Sequence, residues 1–169
     1  NIIHFDEALK KIYFISNKES VFENRFYSID FDWNNLKLLT SEEGSHSIKV
    51  LPEKNMFIDS FSSLREPTKH LLKKMNGELI KVLSETDKSQ FNAYDWSFPE
   101  IIQFESEDKS IKLDGIITYP PNFNKKKRYP LIVYGYGMPG TQIVYNRWGS
   151  LWNQYLAQQG YIVFSMDAR

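Results

Sequence analysis

The stretch from Arg128 to Arg169 constrains the fold more than any other. It holds an apolar run (Pro130 to Tyr134), a Gly/Pro loop (Gly135 to Asn146), a helical pattern and a second apolar run ending at Asp167. Two short apolar runs joined by a helix make a βαβ unit, whose parallel strands must be covered on both faces. Trp148, Leu151, Trp152, Tyr155 and Leu156 fall at i, i+3, i+4, i+7 and i+8, the apolar stripe of an amphipathic helix that begins near Arg147. Gly160 stops it, because glycine takes positive φ without strain. Tyr161 to Met166 lacks polar alternation except at Ser165, as expected of a strand buried on both sides. Asp167 therefore stands at a strand's carboxyl end, where open α/β sheets place ligands.

The first half of the chain follows another rule. Strand-like segments recur about every ten residues: Ile2 to Phe5, Lys11 to Ser16, Arg25 to Phe31, Leu36 to Leu39, Ser47 to Leu51, Met56 to Ser60, Thr68 to Lys73 and Leu79 to Leu83. They form a repeat, since IYFIS at Ile12 corresponds to MFIDS at Met56, and FYSIDFDWNNLKLL at Phe26 to HLLKKMNGELIKVL at His70, about 44 residues on. Four strands per 40 to 45 residues is the signature of β-propeller blades. Turn residues at Asp32 to Asn35 and at Asn76-Gly77 fall where strands of each blade reverse. Two blades cannot close a propeller, so the chain is expected to be an internal piece of a longer protein. Ser84 to Phe98 reads as a linker, and Glu100 to Glu105 with Ile111 to Tyr119 as an antiparallel hairpin ended by Pro120-Pro121.

Composition excludes several classes of function. Lys plus Arg and Asp plus Glu both number 21, so no global field favours nucleic acid or an anionic membrane, and the basic run Lys125 to Arg128 reads as a solvated loop. With no cysteine there is neither a disulfide nor a thiolate metal site. His4, His46 and His70 form no metal-binding or catalytic spacing, so neither a metal nor a cofactor is expected. Glu42-Glu43 and Glu105/Glu107 fall in turns or on a solvent face.

Three features could carry chemistry. Gly135 to Gly140 satisfies G-x-G-x-x-G, yet a dinucleotide site needs those glycines to open the helix directly, and Pro139 removes an amide from the cradle. The same loop can instead follow the third strand of a hydrolase sheet, where Tyr136 would offer its phenol to an oxyanion; residues alone favour a packing role for Tyr136, as a half-buried aromatic beneath the loop. No G-x-S-x-G nucleophile motif occurs, Ser150 reads as a first-turn residue, and Asp167 precedes any nucleophile and so reads as structural.

Taken together, ISNKESVFENRFYSIDF followed by LLTSEEGSH, Pro120 to Phe123 with Tyr129-Pro130, the Y-x-x-P-x-x-Q core at Tyr136, Pro139 and Gln142, and the LAQQGY-to-DAR ending resemble the dipeptidyl peptidase IV branch of the prolyl oligopeptidase family. The chain departs from the usual Y-G-G-P, which here reads Tyr136-Gly137-Met138-Pro139, and from D-G-R, which reads Asp167-Ala168-Arg169. The resemblance implies a mixed fold: the C-terminal blades of a β-propeller over residues 1–90, then the N-terminal part of an α/β-hydrolase domain over 91–169. It implies a serine peptidase that releases N-terminal dipeptides, with Tyr136 in the oxyanion hole, the triad beyond Arg169, and the groups that grip the substrate's amino terminus before Asn1. The isolated piece would then be inactive. Peptides are the expected substrates, a homodimer of the whole protein is allowed, and a location outside the cytoplasm is expected. A prolyl oligopeptidase, an acylaminoacyl peptidase or a noncatalytic propeller-hydrolase protein would share these features.

Overall fold

The computed structural model describes residues 1–136 and 140–167, and the side chains of all of these except residues 90, 92 and 93. The chain divides into two units: Asn1–Thr86 with Asn146–Trp148, and Asp87–Tyr145 with the residues from Gly149 onward.

The first unit is built from two four-stranded antiparallel sheets, each a simple meander. One contains β1 (Ile2–Asp6), β2 (Lys11–Ser16), β3 (Arg25–Asp30) and β4 (Lys37–Leu38). The other contains β5 (Ser45–Leu51), β6 (Met56–Ser62), β7 (Lys69–Lys74) and β8 (Leu79–Glu85). The repeat seen in the sequence places IYFIS and MFIDS on the second strand of each sheet, consistent with two propeller blades. The expected reversals are present. Asn34 donates its backbone N–H to the Asp32 carboxylate, and Asn76 accepts from the Glu78 N–H ahead of Gly77. Gly77 is required there, because its φ is +94° and a Cβ would lie 2.8 Å from the Leu39 carbonyl oxygen.

Aromatic side chains join the two sheets. Phe26 of β3 and Phe57 of β6, both fully buried, meet edge to face with centroids 4.9 Å apart, and Tyr13, Leu39 and Met75 complete the cluster. Beside this core lies a buried polar quartet. Asp59 of β6 receives Lys73 Nζ at 3.0 Å and faces His46 Nδ1 at 2.9 Å, while Lys73 also reaches both Glu42 oxygens at 3.1 and 3.2 Å. His46 Nε2 lies 3.0 Å from the Glu42 carbonyl oxygen, which can only accept. The expectation that Glu42 occupies a turn is met, but its side chain, 34% exposed, also joins this network through Lys73.

In the second unit the sheet order is β11-β12-β10-β9, with β9 Glu100–Glu105, β10 Lys112–Thr118, β11 Leu131–Tyr136 and β12 Ile162–Asp167. β9 and β10 form the expected hairpin, β12 lies antiparallel to β10, and β11 and β12 run parallel across α1 (Leu151–Gln158). The helix starts later than its apolar spacing predicts. Asn146 and Trp148 place their N–H groups on the Phe22 carbonyl and the Ser62 hydroxyl within the first unit, so the chain is not free to coil there. Ser150 then caps the helix by accepting from the Trp152 N–H at 3.1 Å. Gly160 ends it at φ +89°, as expected.

Two burial expectations need correction. Leu151, Trp152 and Tyr155 of the apolar stripe are 60, 56 and 52% exposed, whereas Leu156 of the same stripe is buried together with Gln154 and Ala157. Only Val163 of β12 is fully buried, because among the described residues a single two-turn helix covers this sheet.

The quartet predicts opposite outcomes for adjacent lysines. Lys73→Met leaves two carboxylates without their cation and should lower unfolding free energy by about 3–5 kcal/mol in urea titration of the full-length protein. Lys74→Met, which removes only a solvent-exposed pair with Glu78, should leave the midpoint where it was. Burial alone would push the Glu42 carboxyl up, but its own backbone N–H and the Lys73 ammonium hold it below the ordinary carboxylate value of 4.5. Its stabilising contribution is therefore complete above pH 4.5 and lost as acid titrates it below that value, so Glu42→Gln should flatten the acid limb of the stability curve.

Candidate active site

The carboxyl ends of the parallel strands bring together a phenol, a carboxylate and a fixed loop. Tyr136 is the last residue of β11 and registers with Asp167, the last residue of β12. Alternation along β11 puts Tyr134 and Tyr136 on one face, and the Tyr136 side chain is 46% exposed. Gly135 beside it leaves open space, since nothing lies within 4 Å of where its Cβ would be.

Asp167 does not face solvent alone. Its Oδ1 accepts the backbone N–H of Ile143 at 2.6 Å and of Val144 at 3.2 Å. Val144 is fully buried, and Gln142 Nε2 donates to the Val144 carbonyl oxygen at 2.8 Å. The structural role read for Asp167 from its strand-end position is thus seen in these bonds. A charged acceptor for two consecutive amides is stronger than a neutral one, roughly twofold per bond. Gly137, Met138, Pro139, Ala168 and Arg169, among them both departures from the expected motifs (Met138 and Ala168), lie outside the described residues.

Chemically, this edge can offer an O–H donor to an anionic or carbonyl oxygen. Among the described residues it holds no nucleophile with an attached base. Ser150 Oγ is committed to the helix cap. His4 stacks on Tyr13, His46 is enclosed in the quartet, and His70 Nδ1 pairs with Ser60 Oγ at 2.8 Å on an exposed strand face with no carboxylate on its other nitrogen among the described residues. Among the described residues no three metal-ligating side chains converge, and no helix is long and apolar enough to cross a membrane. Lys125 to Arg128 are all exposed, as their composition suggested. A cleft lined by Trp96, Tyr119, Pro120 and Phe123 opens at the other end of the sheet, since Thr118 pairs with Val163 whereas Gly115 pairs with Met166. It is therefore not part of the Tyr136 edge.

Comparison with known proteins gives a consistent picture. Residues 1–68 match the family model described as the dipeptidyl peptidase IV (DPP IV) N-terminal region. Over 163 residues the chain is 28% identical to the probable dipeptidyl-aminopeptidase B of Botryotinia fuckeliana (strain B05.10), covering 94% of this chain and 18% of that relative. The probable dipeptidyl-aminopeptidase B of Arthroderma otae (strain ATCC MYA-4605 / CBS 113480) is 25% identical over the same shares. The chain thus spans about a fifth of the length of the curated relatives it matches. The crystal structure of Porphyromonas gingivalis dipeptidyl peptidase 4 superposes with a TM-score of 0.90 at 23% identity, over 99% of this chain and 24% of that one, a likeness of fold.

If Ser150 serves only as the cap, Ser150→Ala should cost about 0.5–2 kcal/mol of stability and leave the full-length protein's turnover intact. Loss of all turnover from a folded S150A protein would reinstate it as a reacting group.

Proposed function

We propose that the whole protein is a member of the dipeptidyl peptidase IV family of prolyl oligopeptidase-type peptidases, a serine-type exopeptidase releasing N-terminal dipeptides from peptides with a preference for proline or alanine before the cleaved bond, a reading supported by the match of residues 1–68 to the family model and by the names of the matched relatives. The reaction would run through an acyl-enzyme, with a His-activated serine attacking the second peptide bond and water releasing the dipeptide. None of these 169 residues stands in a nucleophile motif, so the contribution of this chain is a different one.

We assign the phenol of Tyr136 to the oxyanion hole. Acyl transfer turns a neutral carbonyl oxygen into an anion, and a donor already aimed at that oxygen lowers the barrier without reorganising, by about 2.7–4 kcal/mol. The observation that carries this role is the placement of an exposed tyrosine at the carboxyl end of a parallel strand, beside a loop tied down by Asp167. The hairpin β9–β10 followed by the parallel pair β11–β12 supports reading residues 91–169 as the opening of an α/β-hydrolase domain. The two meanders support reading residues 1–90 as propeller blades. Names of the matched relatives agree with peptide substrates, and a location outside the cytoplasm and a homodimer of the whole protein belong to the same proposal.

Tyr136→Phe in the full-length protein should lower kcat on a dipeptidyl p-nitroanilide by about 10²–10³-fold, with KM and melting temperature little changed. Turnover at the wild-type rate would remove Tyr136 from the reaction.

A further inference from the structure

We propose that the first unit carries a binding site for a small monocarboxylate with a short apolar group, in a cavity at one end of the two meanders. The cavity, of about 320 Å³, falls within the roughly 300–1,000 Å³ of small-molecule sites. It does not rest on the role given to Tyr136 and draws on none of the residues used there.

Strand register builds the site. Tyr13 of β2 pairs with Ser28 of β3, which pairs with Lys37 of β4, so these three side chains stand in one row on one face of the first sheet. Lys11 and Asp30 form the next row on that face. In the other direction Phe26 enters the core against Phe57, and Leu39 and Met75 of the same core give the cavity an apolar floor. Asn76 belongs to the rim, where its carbonyl oxygen accepts from Lys37 Nζ at 3.0 Å.

Two buried hydroxyls point to an occupant. Tyr13 and Ser28 are 2 and 4% exposed, both line the cavity, and among the described residues neither hydroxyl has a hydrogen-bond partner. Burial first, and the Asp6 carboxylate after it, holds the Tyr13 phenol above its ordinary value of 10.0, so it keeps the proton it would donate. A buried hydroxyl left unbonded is destabilising, and an oxygen acceptor in the cavity relieves that cost.

Charge selects the acceptor. Lys11 and Lys37 are the charged side chains of the described lining. Lys11 is already bonded to Asp30, whereas Lys37 has no carboxylate within ion-pair distance among the described residues. One positive charge is left over, which a single carboxylate neutralises and a phosphate dianion exceeds. The Leu39 and Met75 floor takes the hydrocarbon part.

Calorimetric titration of isocaproate into the full-length protein tests this, with saturable binding expected at a Kd of about 1 mM or below. Lys37→Met, at an exposed position, should weaken binding by about 10-fold or more, and Tyr13→Phe and Ser28→Ala by about 3-fold or more each. The neutral isocaproamide and inorganic phosphate should each bind at least about 10-fold more weakly than isocaproate. Lys74→Met, which alters a lysine outside the cavity, should leave the affinity unchanged. Absence of saturable binding, an unchanged affinity in K37M, affinities that ignore both hydroxyls, or phosphate bound as tightly as isocaproate would overturn the proposal. Should Tyr13→Phe fail to fold, K37M, Ser28→Ala and the amide decide: isocaproamide bound as well as isocaproate, or full affinity in either variant, overturns it.

Discussion

One carboxylate organises the edge of the second unit. Asp167 ends a strand whose backbone is already paired, so its side chain is free to accept two successive amides from a segment 23 and 24 residues earlier in the chain. Those amides belong to a stretch with no strand or helix of its own, and backbone N–H groups without partners cost about 1–3 kcal/mol each when desolvated. The acid therefore does for the loop what a neighbouring strand would otherwise do. It also sets where the chain goes next, because Val144 enters the interior immediately after its N–H is bound.

The first unit uses acids in a comparable way at greater depth. Asp59 and Glu42 share the Lys73 ammonium, and His46 bridges them through its two ring nitrogens, so three strands and the segment before β5 are joined by polar contacts that few other geometries could satisfy. Asn146 shows the principle a third time. Its side chain accepts from the Leu64 N–H and donates to Glu23, which in turn receives Arg25. In each case a polar side chain fixes irregular backbone beside regular sheet. Apolar packing of Phe26 on Phe57 supplies cohesion without that directional information.

How much of this was legible in the sequence depends on the range of the interaction. Strands such as Lys11–Ser16 and Glu100–Glu105 stand where alternation and turn residues placed them, since both signals are local. Gly160 likewise ended the helix as glycine ends helices generally. The start of that helix was misread, because Asn146 and Trp148 satisfy their backbone through residues far away in sequence, which no helical period records. Its apolar stripe was legible as a stripe, but the face it turns inward carries Gln154 and Ala157 beside only Leu156 of that stripe. The quartet was invisible for the same reason: His46, Asp59 and Lys73 are separated by strand-length intervals and acquire meaning only through the register of β5, β6 and β7. Asp167 was legible as a strand end, whereas the identity of the amides it holds was not.

The account turns on where the Tyr136 hydroxyl points when a substrate carbonyl becomes tetrahedral. A crystal structure of the full-length protein bound to a dipeptide boronic acid, which gives a tetrahedral adduct with a nucleophilic serine, measures that directly. The account predicts a boronate oxygen about 2.7–3.1 Å from the Tyr136 hydroxyl, with the Asp167 carboxylate still on the Ile143 and Val144 amides. A boronate oxygen held by other donors, with the Tyr136 phenol turned away from it, would contradict the account.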